Sequence, residues 1–437
     1  MGHDDLATQN ELETHPGRYR AKGWSKEIMN PDPISTDQMQ SSTSSLWNIL
    51  IRLACLFGFG IACLVGYSAW SSRPGKVLSR FVYLSKKPWI FNTYSRVGTG
   101  LQRADDIAFF DSGKRLAMTC QRYTKFTLWD TTGGAGPQQI QTIELQGRPQ
   151  RITPYKNKIV IVQRPPGDDR HIKPGFFEVF DNSGKRVAGP IDIGWDPDEI
   201  ALVERDGKLY GLILLSGNAE GEDNRPAPCL NVVEIHPETF QIQEVGKVVF
   251  DEPELKGEDP LRVLNSKVVR DGKPDEYSAW IAFGTKAGLR KVDWTDLRRP
   301  GDQDWWAILK GNPLGMAIDD KEKVVLTTHT DTNEISTWPL NQDQGLIGTR
   351  KTQEKWSALE SFHLDGLVFD MIAISEDSSK YGFLNQGNFE LSWKLKGPFG
   401  FGSVRPMDLS VYSPDQDTLW IAICDRTGGL HWIVGHR

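Results

Sequence analysis

Cysteine is scarce, with five in 437 residues, and Cys55 and Cys63 lie inside an apolar run. The remaining Cys120, Cys229 and Cys424 are too few for a disulfide framework, although one bridge plus one free thiol fits the count. No two of them stand at zinc-site spacing. Net positive charge is also lacking: 51 Lys and Arg face 57 Asp and Glu, giving a net charge of -6. That balance gives no electrostatic case for nucleic acid as a partner.

Catalytic motifs are absent too. There is no P-loop, no Gly-x-Ser-x-Gly elbow, no Cys-x-x-Cys and no HExxH. The eight histidines, at 3, 15, 171, 236, 329, 363, 431 and 436, form no ligand pair; His431 and His436 are five apart on one strand pattern and face opposite ways. Asp105-Asp106 and Asp319-Asp320 are adjacent carboxylates. Neighbours on a strand point apart, so these read as turn residues or strand ends rather than acid/base pairs. No loop has EF-hand spacing and no Asn-x-Ser/Thr sequon occurs. The expectation is a non-enzymatic chain with no cofactor, no metal and no catalytic residue.

One long apolar run is present. Residues 46–70, LWNILIRLACLFGFGIACLVGYSAW, carry a single charge, Arg52. As a helix they would rise ~37 Å, enough to cross a ~30 Å hydrocarbon core. Trp47 at one end, and Tyr67 and Trp70 at the other, suit the two interfaces, and Arg52 is close enough to its end to snorkel. A signal peptide would sit nearer the start, and a buried core helix would be amphipathic. The segment therefore reads as a single-pass transmembrane helix, with the bilayer as one partner. Only Lys26 is basic in the 20 residues before it; Arg73, Lys76, Arg80, Lys86 and Lys87 follow it. That asymmetry leans the C-terminal domain to the cytoplasmic side, against the common plan of an anchor followed by an exported domain. Residues 1–45 are polar and read as a disordered tail, and 71–83 as a short tether.

Tryptophan (15), glycine (42) and proline (25) are plentiful, as many turns between aromatic-rich strands require. The stretch FTLWDTTGG, 126–134, has counterparts: FFEVFDNSG (176–184), LNVVEIHPE (230–238), GLRKVDWTD (288–296), EISTWPLNQ (334–342), FELSWKLKG (389–397) and GLHWIVGHR (429–437). Their anchors at 129, 180, 235, 293, 338, 393 and 432 recur every 39 to 58 residues, a period that suits four-stranded blades with variable loops. Residues 105–130, 369–395 and 407–434 each show three short strands separated by two turns.

Asp111, Gly113, Lys114, Leu116, Trp129 and Asp130 carry a layout similar to the WD-repeat β-propeller family, over roughly residues 88–437, without the Gly-His dipeptide usual before each blade. The resemblance implies an all-β, seven-bladed β-propeller at 84–437, with an irregular β-sandwich as the alternative. The seventh copy ends the chain after its third strand, so FVYLSKKPWIFNTYSRVG (81–98) is expected to complete that sheet and close the ring. Trp305-Trp306 are expected on an outer strand.

In such blades the loops between second and third strands share a face with the loops joining blades. Three long ones fall there: 164–175, 216–228 and 251–260. They supply Asp168, Asp169, Arg170, His171, Glu220, Glu222, Asp223, Arg225, Glu252, Glu258 and Asp259 as candidate partner-binding residues. A partner with a basic surface suits this acidic patch. Drift in surface-loop length would give the same pattern. The functional expectation is a membrane-anchored interaction or scaffold subunit of a larger membrane complex. The alternatives are a transient assembly factor, or a propeller hydrolase or lactonase with a metal in its channel. The last would need several inward-pointing acids or histidines from different blades, which the sequence does not place.

Overall fold

Lys158–Arg164 contains the run Ile159-Val160-Ile161-Val162, apolar on both faces of a strand and buried throughout. Side chains alternate across a strand, so this one must be covered twice. It is: Ile159 and Ile161 pack with Ala108, Phe126 and Phe180, while Val160 and Val162 pack with Ile200, Ile213 and Val233. A sheet sandwiched between two other sheets is the unit of this fold.

The computed structural model describes 78–82, 89–93, 97–99 and 101–437 except 102, 134–135, 168–172, 217–226, 252–259, 269–274, 284–287, 302–304, 309–312, 330–331, 341–345, 365–366, 368, 386–389 and 397–403. All of these belong to one compact unit, Gly66–Arg437. Strands β1 (Leu78–Val82), β2 (Trp89–Thr93) and β3 (Val97–Gly98) come first. Blade 1 is β4 (Asp106–Phe110), β5 (Arg115–Cys120), β6 (Lys125–Asp130) and β7 (Gln138–Glu144). Blade 2 is β8 (Arg148–Tyr155), β9 (Lys158–Arg164), β10 (Gly175–Asp181) and β11 (Arg186–Gly194). Blade 3 is β12 (Pro197–Arg205), β13 (Lys208–Leu215), β14 (Cys229–Ile235) and β15 (Ile242–Val249). Blade 4 is β16 (Pro260–Val268), β17 (Glu276–Phe283), β18 (Gly288–Asp293) and β19 (Trp305–Ile308). Blade 5 is β20 (Pro313–Asp319), β21 (Val324–His329), β22 (Glu334–Pro339) and β23 (Gly348–Lys351). Blade 6 is β24 (Ala358–Ser361), β25 (Met371–Ser375), β26 (Lys380–Leu384) and β27 (Glu390–Lys394). Blade 7 is β28 (Pro406–Asp415), β29 (Thr418–Asp425) and β30 (Gly429–His436). Each blade is an antiparallel meander.

Seven apolar clusters lie between the seven sheets, each built from two neighbouring blades, and the last joins blade 7 to blade 1 through Trp432, Phe109 and Trp129. The protein is an all-β seven-bladed propeller. Closure comes from the N-terminal side, through the segment expected to supply it. β2 pairs with β30, β1 adds beyond it, and β3 also meets β30. Phe91 of β2 sits opposite Gly435 and stacks 4.5 Å from Phe383. A Cβ on Gly435 would fall 2.6 Å from the Phe91 ring, so only glycine lets the closing strand approach.

Several expectations are corrected by this register. β1 occupies part of the stretch read as a tether. Trp393 lies on β27, the outermost strand of blade 6, because that blade begins earlier, at β24; the inner strand is only four residues long and shows no aromatic signal. Cys120, Cys229 and Cys424 are all free and buried, packed as small apolar groups, so the bridge that the count allowed is not formed. Trp305 and Trp306 do lie on an outermost strand, β19.

The aspartates that follow Trp129 and Phe180 have a plain local task. Asp130 Oδ1 accepts from the Thr132 N–H at 2.8 Å, and Asp181 Oδ1 from those of Ser183 and Lys185 at 2.9 and 3.0 Å. Each folds the turn out of the third strand, which is why an acidic residue recurs there. Gly113, at φ 74° in the first turn, lies under Tyr412 with no room for a Cβ.

No helix among the described residues is long and apolar enough to cross a membrane. The anchor residues Trp47, Arg52, Tyr67 and Trp70, the whole 46–70 segment and the 1–45 tail lie outside the described residues.

Candidate functional site

The innermost strands surround the axis, and their inward positions line a cavity of about 380 Å³. Five of those strands carry the same pair within their first five residues, a charged residue before an aliphatic one: Asp106-Ile107, Arg151-Ile152, Glu199-Ile200, Arg262-Val263 and Asp408-Leu409. The aliphatic residue turns into the blade interface, so its neighbour turns to the channel. Glu360 of β24 joins them, and no residue of β20 is among the lining. Around the axis the charges therefore run acid, base, acid, base, a blade without charge, acid, acid.

These groups reach across the seams between blades. Asp106 Oδ2 accepts from the Ile152 N–H at 2.5 Å, Glu199 Oε2 from Val263 N–H at 2.7 Å and Glu360 Oε2 from Val411 N–H at 2.8 Å. Neutral groups do likewise: Phe109 N–H donates to Ser410 Oγ at 3.2 Å, Thr153 Oγ1 to the Ile200 carbonyl at 2.6 Å and Ser361 Oγ to the Ile318 carbonyl at 2.5 Å. The innermost strand has no fifth strand to pair with, so its main-chain groups need partners from the next blade. Among the described residues, six of the seven seams carry such a bond; the seam between blades 4 and 5 is the exception, held by Trp280, Met316 and Trp338.

Burial shapes the ionisation. The Asp106 carboxyl is pushed well above the usual carboxylate range, first by burial and then by the hydrogen bond and like charge of Asp408. Arg151 lies 3.3 Å from Asp106 Oδ1 and 3.8 Å from Asp408 Oδ2. Burial works against its charge, but Asp106, Glu199 and Asp408 outweigh that and raise its pKa. Glu199 is raised by burial, against the pull of Arg262 and Arg151. Glu360 is pushed up to about 7 by burial, with Arg262 and the Val411 N–H pulling back and Asp106 adding to the rise.

Asp105 and Asp106 are not a pair: Asp105 turns to Arg103 at 2.5 Å and the Gln121 N–H at 2.8 Å, while Asp106 faces the axis. Asp319, at the end of β20, is buried and bonds His363 at 2.8 Å. His431 is buried against Asp425, whereas His436 on the same strand is exposed. Four acids from four blades do converge on the channel, but the two arginines are set among them. Among the described residues no group of three or more His, Cys, Asp or Glu is arranged to hold a metal ion.

The candidate partner residues Asp168, Asp169, Arg170, His171, Glu220, Glu222, Asp223, Arg225, Glu252, Glu258 and Asp259 lie outside the described residues. The strands that bracket them are described. β9 leads to β10, β13 to β14 and β15 to β16, and in an antiparallel meander all three connections leave from one edge of the ring. The β11–β12 turn belongs to the same edge. There Trp195 is 40% exposed, next to Asp196, which bonds Arg164 at 2.6 Å.

No known family model matches the chain, and no curated protein sequence matches it. Solved structures do. Virginiamycin B lyase from Staphylococcus aureus, solved with quinupristin, superposes with a TM-score of 0.52 at 13% identity, over 78% of this chain and 99% of its own. A streptogramin B lyase gives 0.52 at 11% identity, over 78% and 97%. Sqt1 from Saccharomyces cerevisiae gives 0.50 at 10% identity, over 82% and 97%. At such identities the likeness is one of fold.

Proposed function

We propose that the chain is a non-catalytic interaction module, a scaffold subunit of a membrane complex, held at the bilayer by residues 46–70. The observation that supports this reading is the use made of the channel charges. Asp106, Glu199 and Glu360 each spend an oxygen on the main chain of the next blade, and Arg151 forms ion pairs with Asp106 and Asp408. Side chains bound in this way hold blades together, whereas a catalytic acid or base has to stay in reach of substrate. Binding is then assigned to the edge from which 164–175, 216–228 and 251–260 leave, with Trp195 as its described aromatic anchor.

The test is purification of the full chain from gently solubilised membranes. A partner at fixed stoichiometry is expected, lost on joint reversal of Asp168, Asp169, Glu220, Glu222 and Asp223. Removal of 46–70 is expected to release the chain from membranes without unfolding it. A chain that purifies alone and turns over a lactone or ester in a metal-dependent way would replace this reading with the hydrolase.

A further inference from the structure

We propose that the axial cavity is a binding site for a small organic cation, a guanidinium or ammonium group that carries a carbonyl. The inference goes beyond the scaffold reading and does not depend on it.

Charge balance comes first. The ring holds four carboxyls, Asp106, Glu199, Glu360 and Asp408, against two guanidinium groups, and Arg151 lies against both Asp106 and Asp408. Glu199 and Arg262, 4.0 Å apart, offset one another. Among the described residues Glu360 is the carboxyl of the ring that enters no ion pair, with Arg262 acting on it only from further off. Its Oε2 is taken by the Val411 N–H, and its other oxygen has no hydrogen-bond partner among the described residues. Arg262, which lines the same cavity, has its Nε buried with no hydrogen bond, the nearest carboxylate oxygen being Glu199 Oε1 at 4.0 Å, on a side chain only 17% exposed. A buried donor without a partner is costly, as is a buried carboxylate. One ligand answers both: its N–H groups donate to Glu360, and its carbonyl accepts from Arg262 Nε–H.

The cavity has room for this. At about 380 Å³ it falls within the range of small-molecule sites. Below the charged ring its wall is Ala108, Pro154, Ala201, Leu202 and Leu264, with Thr153, Asn265 and Ser410 as further polar groups. Small and aliphatic residues there suit the methylene chain of a basic side chain. Without the cation, Glu360 keeps its charge balance by holding a proton near neutral pH. Cation and proton then compete for one carboxylate. The charged groups that face it are Arg262, Asp106, Asp408, Arg151 and Glu199.

The probe is Nα-acetyl-L-argininamide, a permanent monocation with two carbonyls, compared by calorimetry with its neutral isostere Nα-acetyl-L-citrullinamide. The arginine compound is expected to bind, and about tenfold more tightly at pH 8 than at pH 6, since a carboxyl near 7 goes from mostly protonated to mostly ionised over that span. Glu360→Gln keeps an acceptor for Val411 and should lower affinity at least tenfold while removing the pH dependence. Ala201→Leu changes no charge, narrows the cavity and should also lower affinity at least tenfold. Binding of a Gly-Gly-Arg-Gly-Gly peptide as well would assign the site to a partner's basic side chain; binding of the amide alone would assign it to a free small molecule. Equal affinity for the arginine and citrulline compounds, absence of binding at millimolar concentration, or affinity unchanged in Glu360→Gln would overturn the proposal.

Discussion

Glu360 and Arg151 show how one buried charge sets the cost of another. Glu360 is held at about 7 in the folded chain, above its unfolded value near 4.5. A folded state that binds the proton more tightly gains stability where the group is protonated. That gain is complete below about 4.5 and is lost as pH rises to about 7. Denaturant unfolding of the wild-type chain should therefore show stability falling across this window, by at most about 3 kcal/mol from this group. Glu360→Gln should flatten the slope and exceed wild type above pH 7. Arg151→Met removes the cation from two buried carboxyls and should cost about 3–5 kcal/mol. An Arg151→Met chain as stable as wild type would mean that the ring is solvated and that its ion pairs matter little.

At the scale of the element, the informative strand is β2. It supplies Trp89 and Phe91 to the cluster between blades 6 and 7 and gives blade 7 its fourth strand. Its need was legible before its position, because 81–98 is a strand-forming segment left over ahead of the first blade. Phe91→Ala should destabilise by about 3–5 kcal/mol in denaturant titration. Gly435→Val, which adds no cavity but blocks the Phe91 ring, should be of similar severity. Blade 6 was harder to read. Its inner strand, ALES, carries one leucine and no aromatic residue, so the stronger pattern at 369–395 stood in for the whole blade. Propensity finds strands that bury large side chains and misses short ones whose place is set by their neighbours.

For the whole molecule, the ring makes stability a matter of seams. Six are joined near the axis by a hydrogen bond to the next blade's main chain, and the seam between blades 4 and 5 relies on apolar packing among the described residues. Amide hydrogen exchange should find β16 and β20 exchanging sooner than β8 and β12. Uniform protection of all inner strands would show that the clamps do not govern local opening.

Sequence by itself determined the number of blades, most third strands and the closing segment, because these follow from local alternation, turn chemistry and a repeated period. It even held the channel residues in plain form, as a charged residue before an aliphatic one near the start of five inner strands. What it lacked was the axis. Asp106 and Asp408 meet only because closure brings blade 7 against blade 1, where Phe109 and Ser410, 301 positions apart, are hydrogen-bonded. Charge, burial and pKa depend on distances through space and on the water removed between groups. Those quantities come into being only when the ring closes, so tertiary structure alone decided which charged residues meet.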